Sequence, residues 1–330
     1  MASVVTRTVA PDEADMRLDR WFKQHYPGLA FGHLQKLLRS GQVRVDGGRA
    51  KTSDRISPGQ TIRIPPLGVD EAGGSPEVAR PAGARGASAD QLMAMCLHED
   101  DEVFVFNKPW GLAVQGGSGL STHLDAMLES LRDKKGQKPR LVHRLDRETS
   151  GVRVVARTRL AASKLAAAFR ARTTRKIYWA LVKGVPRPAQ GRVSTWLARE
   201  ESSEKMKVAR HGEDDASHAV SLYSVVDNAG PNLAWLTMRP VTGRTHQLRA
   251  HAAHIGHPII GDSKYFEADT NWEFPGGIQN KLHLHARRIV IPHPAGGTLD
   301  VSAPLSPHML QSWNLLGFDP DLGSDEGPDE

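Results

Sequence analysis

The segment LVHRLDRETSG, residues 141–151, sets one carboxylate, Asp146, between Arg144 and Arg147 and follows it with the small polar turn Thr149-Ser150-Gly151. In extended backbone side chains alternate, so Arg144 and Asp146 would share one side while Leu145 anchors the other. A carboxylate kept ionised by a neighbouring guanidinium can serve as nucleophile or base, whereas a cap or a local ion pair is the ordinary role of a loop aspartate. The four letters RLDR decide nothing alone, because they also occur at Arg17–Arg20, where they open a helix. What distinguishes the second copy is His143 before it and Glu148-Thr149-Ser150-Gly151 after it.

Other chemistry is sparse. The chain has no GxxxxGK[ST] loop, no GxGxxG after a strand, no HExxH and no EF-hand loop, which removes the usual signatures of ATP, NAD and calcium sites. His251, His254 and His257 recur every third residue, but Gly256 and Pro258 flank the last of them, so structural or RNA-facing roles are expected and no metal. Cys96 is the single cysteine and cannot form an internal bridge, which fits a reducing compartment. The first twenty residues lack an apolar signal core, and no run reaches the roughly 18 apolar residues of a membrane span. A cytoplasmic protein with no membrane partner is the expectation.

The elements that must position these residues fall into four stretches. Residues 1–65 carry 11 basic and 6 acidic residues and read as a compact α/β unit with helices at Leu18–His25 and His33–Ser40 and short strands at Gln42–Val45 and Thr61–Ile64. Leu34, Leu37 and Leu38 form the apolar stripe of the second helix, leaving Lys36 and Arg39 on the other face. Residues 66–90 are dominated by Gly, Ala, Pro and Ser and read as a flexible linker. Residues 91–317 read as the main body, with a strand at EVFVFNKP and a central strand at KIYWALVKG, which is apolar on both faces. HAVSLYSVV and LAWLTMRP form an antiparallel pair, and helices are expected at Thr122–Arg132, Arg159–Arg172 and Thr245–Ile255. Residues 318–330 form an acidic tail expected to be disordered. The net charge is +6 although the last twelve residues hold six acids and no base, so the rest of the chain is more strongly basic and suits a polyanionic partner.

Two resemblances sharpen this picture. RLDRWF, HLQKLLRSGQVRVDGGRAK and ISPGQTIRI resemble an S4-like RNA-binding module, which implies that Arg20, His33, Lys36, Arg39 and Arg44 contact RNA phosphates. HRLDRETSG resembles the active-site motif of the RluA-type pseudouridine synthases, and further segments follow in the family's order. They are NKPWGLAVQGGSG at 107–119, KIYWALVKG at 176–184, GRTHQLRAHAAHIGHPIIGD at 243–262 and LHLHARRIVIPHP at 282–294. The resemblance implies Asp146 as the catalytic aspartate, Tyr178 as the active-site tyrosine, Arg244 as the cation that pairs with Asp146, and Leu284 as the aliphatic wall. Arg144 would fill the gap left by a flipped base, with His143 beside it on the substrate side. VQGGSGLS at 114–121 is most similar to members acting on large-subunit ribosomal RNA, although Gln115 and the long linker depart from the common pattern.

The expected fold is therefore α+β: a small S4-like α/β domain plus a larger mixed, mainly antiparallel sheet flanked by helices. The expected activity is isomerisation of uridine to pseudouridine in RNA, which has no redox change and calls for no cofactor. The partner is RNA, with no DNA expected, and the chain is expected to act as a monomer. A transfer-RNA synthase and a non-catalytic RNA-binding or ribosome-assembly protein are the alternatives. Glycoside hydrolysis fits less well, because it ordinarily uses two carboxylates, and here one acid is flanked by arginines.

Overall fold

In the computed structural model, described for residues 4–69, 85–116, 122–134, 136–200, 205–266, 276–322 and 328, the N-terminal unit comes first in space as in sequence. Its elements are β1 (Val5–Thr8), α1 (Leu18–His25), α2 (Phe31–Arg39), β2 (Arg44–Val45), β3 (Gly48–Arg49) and β4 (Thr61–Ile64). The strands make a four-stranded sheet in the order β1-β4-β2-β3. Helix α1 buries Leu18, Trp21 and Phe22, and α2 buries Leu34, Leu37 and Leu38, as the leucine spacing requires. These side chains join Val43, Ile56, Ile62 and Ile64 in one core. Leu67 belongs to that core and α3 (Arg85–Ala94) starts before residue 90, so ordered structure enters both ends of the linker stretch. Residues 70–84 lie outside the described residues.

The body continues with β5 (Cys96–Glu99), β6 (Val103–Lys108), α4 (Leu124–Met127), β7 (Arg140–Leu141), β8 (Ser150–Ala156) and α5 (Arg159–Ala171). Then come β9 (Arg175–Lys183), β10 (Gln190–Arg199), β11 (Met206–Ala209), β12 (Ser217–Ala229) and β13 (Leu233–Pro240). Helix α6 (Gln247–His254), β14 (Leu284–Pro292), β15 (Thr298–Ser302) and α7 (Pro307–Leu316) complete it. Eleven strands form one sheet, ordered β11-β10-β12-β13-β9-β14-β8-β6-β5, with β15 added on β14 and β7 on β8. Every pairing is antiparallel except β14 with β8.

Strand β9 is central, as its two apolar faces demand. Ala180 and Val182 pack on one side, and Ile177, Trp179 and Leu181 on the other with Trp235, Trp313 and Phe318. Phe318, the first residue of the stretch read as a tail, is thus part of the core, and the packed body runs past Gly317. Most of the remaining tail, residues 323–327 and 329–330, lies outside the described residues, as do residues 117–121 of the VQGGSGLS string. The helix expected over Thr122–Arg132 is shorter: α4 ends at Met127 and a 3-10 turn, Leu128–Leu131, follows. The Ser130 hydroxyl donates to the Met127 carbonyl there, a side-chain bond that competes with regular helix.

One row of register partners prepares the site. Tyr178 pairs with Ala286, Ala286 with Gly151, and Gly151 with Lys108, across β9, β14, β8 and β6. Gly151 has φ +105°, and a Cβ there would lie 2.2 Å from the Ala286 carbonyl oxygen, so only glycine permits this close parallel crossing.

Candidate active site

Asp146 stands in the loop between β7 and β8, where Leu145 is buried and Arg144 and Arg147 are exposed. The loop is pinned from several sides. Lys108 is buried and its Nζ donates to the carbonyls of Pro109, Leu112 and Arg147 at 2.9–3.0 Å. His143 accepts from the Val154 N–H at 3.1 Å and stacks on Phe169 with ring centroids 4.7 Å apart. Burial, with Arg153 and Lys176 nearby, holds His143 well below the usual imidazole range. His143 thus braces the loop with one ring nitrogen engaged by backbone, and it also lines both cavities described next.

Two adjoining cavities meet at this loop. The smaller, about 430 Å³, is lined by His143, Arg144, Asp146, Phe169, Lys176, Tyr178, Arg244, His246, Leu248, Arg249 and Leu284 among others, and Asp146 is the only carboxylate in its described wall. The larger, about 880 Å³, shares His143 to Asp146, His246 and Arg249, and extends to Trp110, Gln115, Arg153, Lys264 and Arg20 of the N-terminal unit. Asp146, Tyr178, Leu284, Arg144, His143 and Arg244 are thus brought together. Of the residues expected to hold RNA, Arg20 reaches the larger cavity. His33, Lys36, Arg39 and Arg44 are exposed on the N-terminal unit away from both cavities, with Arg44 donating to the Gly41 and Gly47 carbonyls.

The cation beside Asp146 differs from expectation. Arg244 is exposed at the rim; its Nε donates to the His218 carbonyl at 3.1 Å, and it makes no ion pair with Asp146 among the described residues. Arg249, on the first turns of α6, is buried and interacts electrostatically with Asp146. Its Nε and Nη2 donate to the two carboxylate oxygens of Asp262 at 2.8 and 2.6 Å, and Nη2 also reaches Glu148 at 3.3 Å. Burial would pull its pKa down, yet these acids raise it above the ordinary value, so the charge is permanent. Arg244 precedes the helix on a solvent-facing loop, whereas Arg249 lies in a stretch, Gln247 to Ala252, that is buried on every side, which is why the buried charge falls to the second arginine.

Residues without an earlier role complete the arrangement. His246, in the left-handed region at φ 48°, places Nε2 3.9 Å from the Asp146 carboxylate. Burial lowers its pKa, with Asp146 opposing and Arg249 and Lys264 reinforcing. Gln247 locks the preceding loop: its carbonyl accepts from the Thr242 hydroxyl and the Arg244 N–H, and its amide donates to the Val220 carbonyl and the Ser221 hydroxyl. Every polar atom of this buried side chain is used. Lys176 lines the smaller cavity, and burial brings it down to about 8. Burial, then the Asp146 charge, pushes the Tyr178 phenol up, with Arg153 opposing. His251, His254 and His257 do not converge: His251 bonds Thr195 and Ser221, and His257 the Lys183 carbonyl.

The family profile described as RNA pseudouridylate synthase matches residues 102–254, which contain Asp146, Tyr178, Arg244 and Arg249. The ribosomal large subunit pseudouridine synthase C of Pasteurella multocida (strain Pm70) is 35% identical over 310 residues, covering 94% of this chain and 93% of that protein. The chain belongs to the RNA pseudouridylate synthase family. A mitochondrial RNA pseudouridine synthase 4 of Arabidopsis thaliana is 32% identical over 90% of this chain and 78% of its own length. Among solved structures, human RNA pseudouridylate synthase domain containing 4 superposes with a TM-score of 0.59 at 29% identity, covering 70% of this chain and 96% of that one. These matches place the chain, as a synthase of the RluA type, on the mixed sheet described above. No helix among the described residues is long and apolar enough to cross a membrane.

Proposed function

We propose that this synthase converts uridines of large-subunit ribosomal RNA to pseudouridine, with Asp146 as the reacting carboxylate. The observation that carries the reading is Asp146 as the only acid in the described wall of a nucleoside-sized cavity that also holds Tyr178, Leu284 and Arg249. The RNA class follows the names of relatives that align over nearly the whole chain.

A uridine within folded RNA must leave its stack to reach this depth, and exposed Arg144, which lines both cavities, is placed to occupy the vacated position. Leu284 and the Tyr178 ring enclose the uracil faces. Arg249 sets a permanent positive charge toward the Asp146 carboxylate. The carboxylate then reacts with the ribose–uracil unit while the N1–C1′ bond opens and the base turns. The S4-like N-terminal unit holds RNA by its exposed cations, with Arg20 as the link to the active cavity.

Asp146→Asn should abolish pseudouridine formation on a large-subunit RNA transcript while leaving RNA affinity within about threefold, because phosphate contacts carry that affinity. Retained turnover would reject the assignment of Asp146. Turnover by the unaltered enzyme on transfer RNA alone would reject the RNA class.

A further inference from the structure

Arg153 has no role in the fold or in the chemistry assigned so far. It lies on β8, opposite Phe106 of β6 and two residues after Gly151, and it is wholly buried. None of its Nε, Nη1 and Nη2 atoms meets a hydrogen-bond acceptor. A guanidinium without acceptors in an apolar interior is among the most unfavourable groups a fold can hold. Burial brings its pKa down only to about 9, so it stays charged at neutral pH.

Its surroundings narrow what it acts on. Arg153 belongs to the wall of the larger cavity next to Arg144 and Asp146, and it interacts electrostatically with His143, Lys108 and Tyr178. Lys108 already has its three carbonyls, and His143 has the Val154 N–H. The Tyr178 hydroxyl has no hydrogen-bond partner among the described residues; the cavity it faces holds Arg144, Arg170, Arg172, Lys176, Arg244, Arg249 and the one acid Asp146, while the charges that act on the phenol are Asp146 and Arg153.

We propose that Arg153 is a positioning residue for proton transfer at Tyr178: its buried guanidinium stabilises negative charge on the phenolic oxygen while that oxygen receives the proton of uracil C5. The proposal rests on the synthase reading above. The conversion breaks N1–C1′, forms C5–C1′ with an electron pair of the uracil ring, removes a proton from C5 and leaves one on N1. With Tyr178 as carrier, the phenol gives its proton to N1 and the resulting phenoxide takes the proton from C5, so atoms and charge close without another reactant. Between the two transfers the phenoxide stands in a buried site beside Asp146, both of which oppose it, and Arg153 is the cation that offsets them.

The test uses large-subunit RNA fragments tritiated at uridine C5, with Arg153→Met, Arg153→Lys and the unaltered enzyme in single turnover. Arg153→Met should release tritium about 100-fold more slowly with KM within about threefold, the size expected of one assisted proton transfer, and Arg153→Lys should restore about tenfold of the loss. Its melting temperature should not fall, because an unpaired charge has left the interior. Unchanged tritium release, or a loss expressed in KM alone, overturns the proposal. A second comparison does not depend on the methionine variant folding. In a Tyr178→Phe background, Arg153→Lys should change the residual rate by less than about twofold, and a further loss of about tenfold there overturns the proposal. If the unaltered enzyme releases no tritium from any uridine, the synthase reading fails instead.

Discussion

The Arg249–Asp262 pair should hold the site together and also serve its chemistry, and the two contributions are separable. Both side chains are buried, at 2% and 0% exposure, and the contact is bidentate. Asp262→Leu leaves the guanidinium with Glu148 alone, at 3.3 Å and partly exposed, and also strips acceptors from the Lys264 and Tyr265 N–H groups. Breaking one side of a buried ion pair costs about 3–5 kcal/mol, so about 4 kcal/mol is expected here. With an m-value of about 2–3 kcal/mol/M, the urea midpoint should fall by ~1.5 M. Adding Arg249→Met removes the stranded charge with little change of volume and should recover about 2 kcal/mol or more. Pseudouridine formation should not recover with it, because the buried, permanently charged guanidinium that interacts with Asp146 is gone. Urea melts of the three proteins, with turnover measured on the same samples, decide the matter. A cost below about 1 kcal/mol for Asp262→Leu, or normal turnover by the double variant, would refute the reasoning.

Three further outcomes are expected. Gly151→Ala should cost at least about 2 kcal/mol by thermal or urea melt, because its Cβ would strike the Ala286 backbone at 2.2–2.8 Å and φ is +105°. Burial pushes the Asp100 carboxyl up, but bonds from His98 and from the Glu102 and Val103 N–H groups, with His293 nearby, bring it to about 2. Its folded value is thus below the unfolded one, so its stabilisation is present above pH ~4 and lost as pH falls toward 2; the gap between wild type and Asp100→Asn in acid melts should close over that window. Lys176, brought down to about 8, should be recharged by RNA phosphates, so calorimetry in two buffers at pH 8 should show proton uptake on binding product RNA, absent in Lys176→Met.

Local structure was legible where short-range pattern governs it. Helix α1 and strand β4 fall at the expected residues, and Leu34, Leu37 and Leu38 are the buried stripe of α2. The family's ordered motifs brought Asp146, Tyr178, Arg144 and Leu284 to one cavity. The identity of the cation beside Asp146 was not legible, because Arg244 and Arg249 share one short string and only enclosure by neighbouring elements separates them. The row from Tyr178 through Ala286 and Gly151 to Lys108 joins strands far apart in sequence, so no local period announces it. Arg153 was hidden for a different reason: beside Val152, Val154 and Val155 nothing local says that both faces of the strand are buried until the sheet closes around it.

The charge arrangement of the site follows from what it must admit. Arg144, Arg170, Arg172, Lys176, Arg244 and Arg249 surround a single acid in the smaller cavity. Burial holds Lys176 near 8, and burial with repulsion from Arg153 holds Lys108 near 7, even with Asp146 attracting the latter. Burial is the main cause in both, because it strips the ammonium groups of the water that would solvate their charge. An RNA strand supplies the missing negative charge, and each phosphate that enters relieves the repulsion. The N-terminal unit is held by the same means, through Arg170 on Asp15, Arg159 on Asp12 at 3.5 Å and the Ser163 hydroxyl on the Ala14 carbonyl. Arg170 thus lines the smaller cavity and also pairs with the unit that carries Arg20 to the larger one.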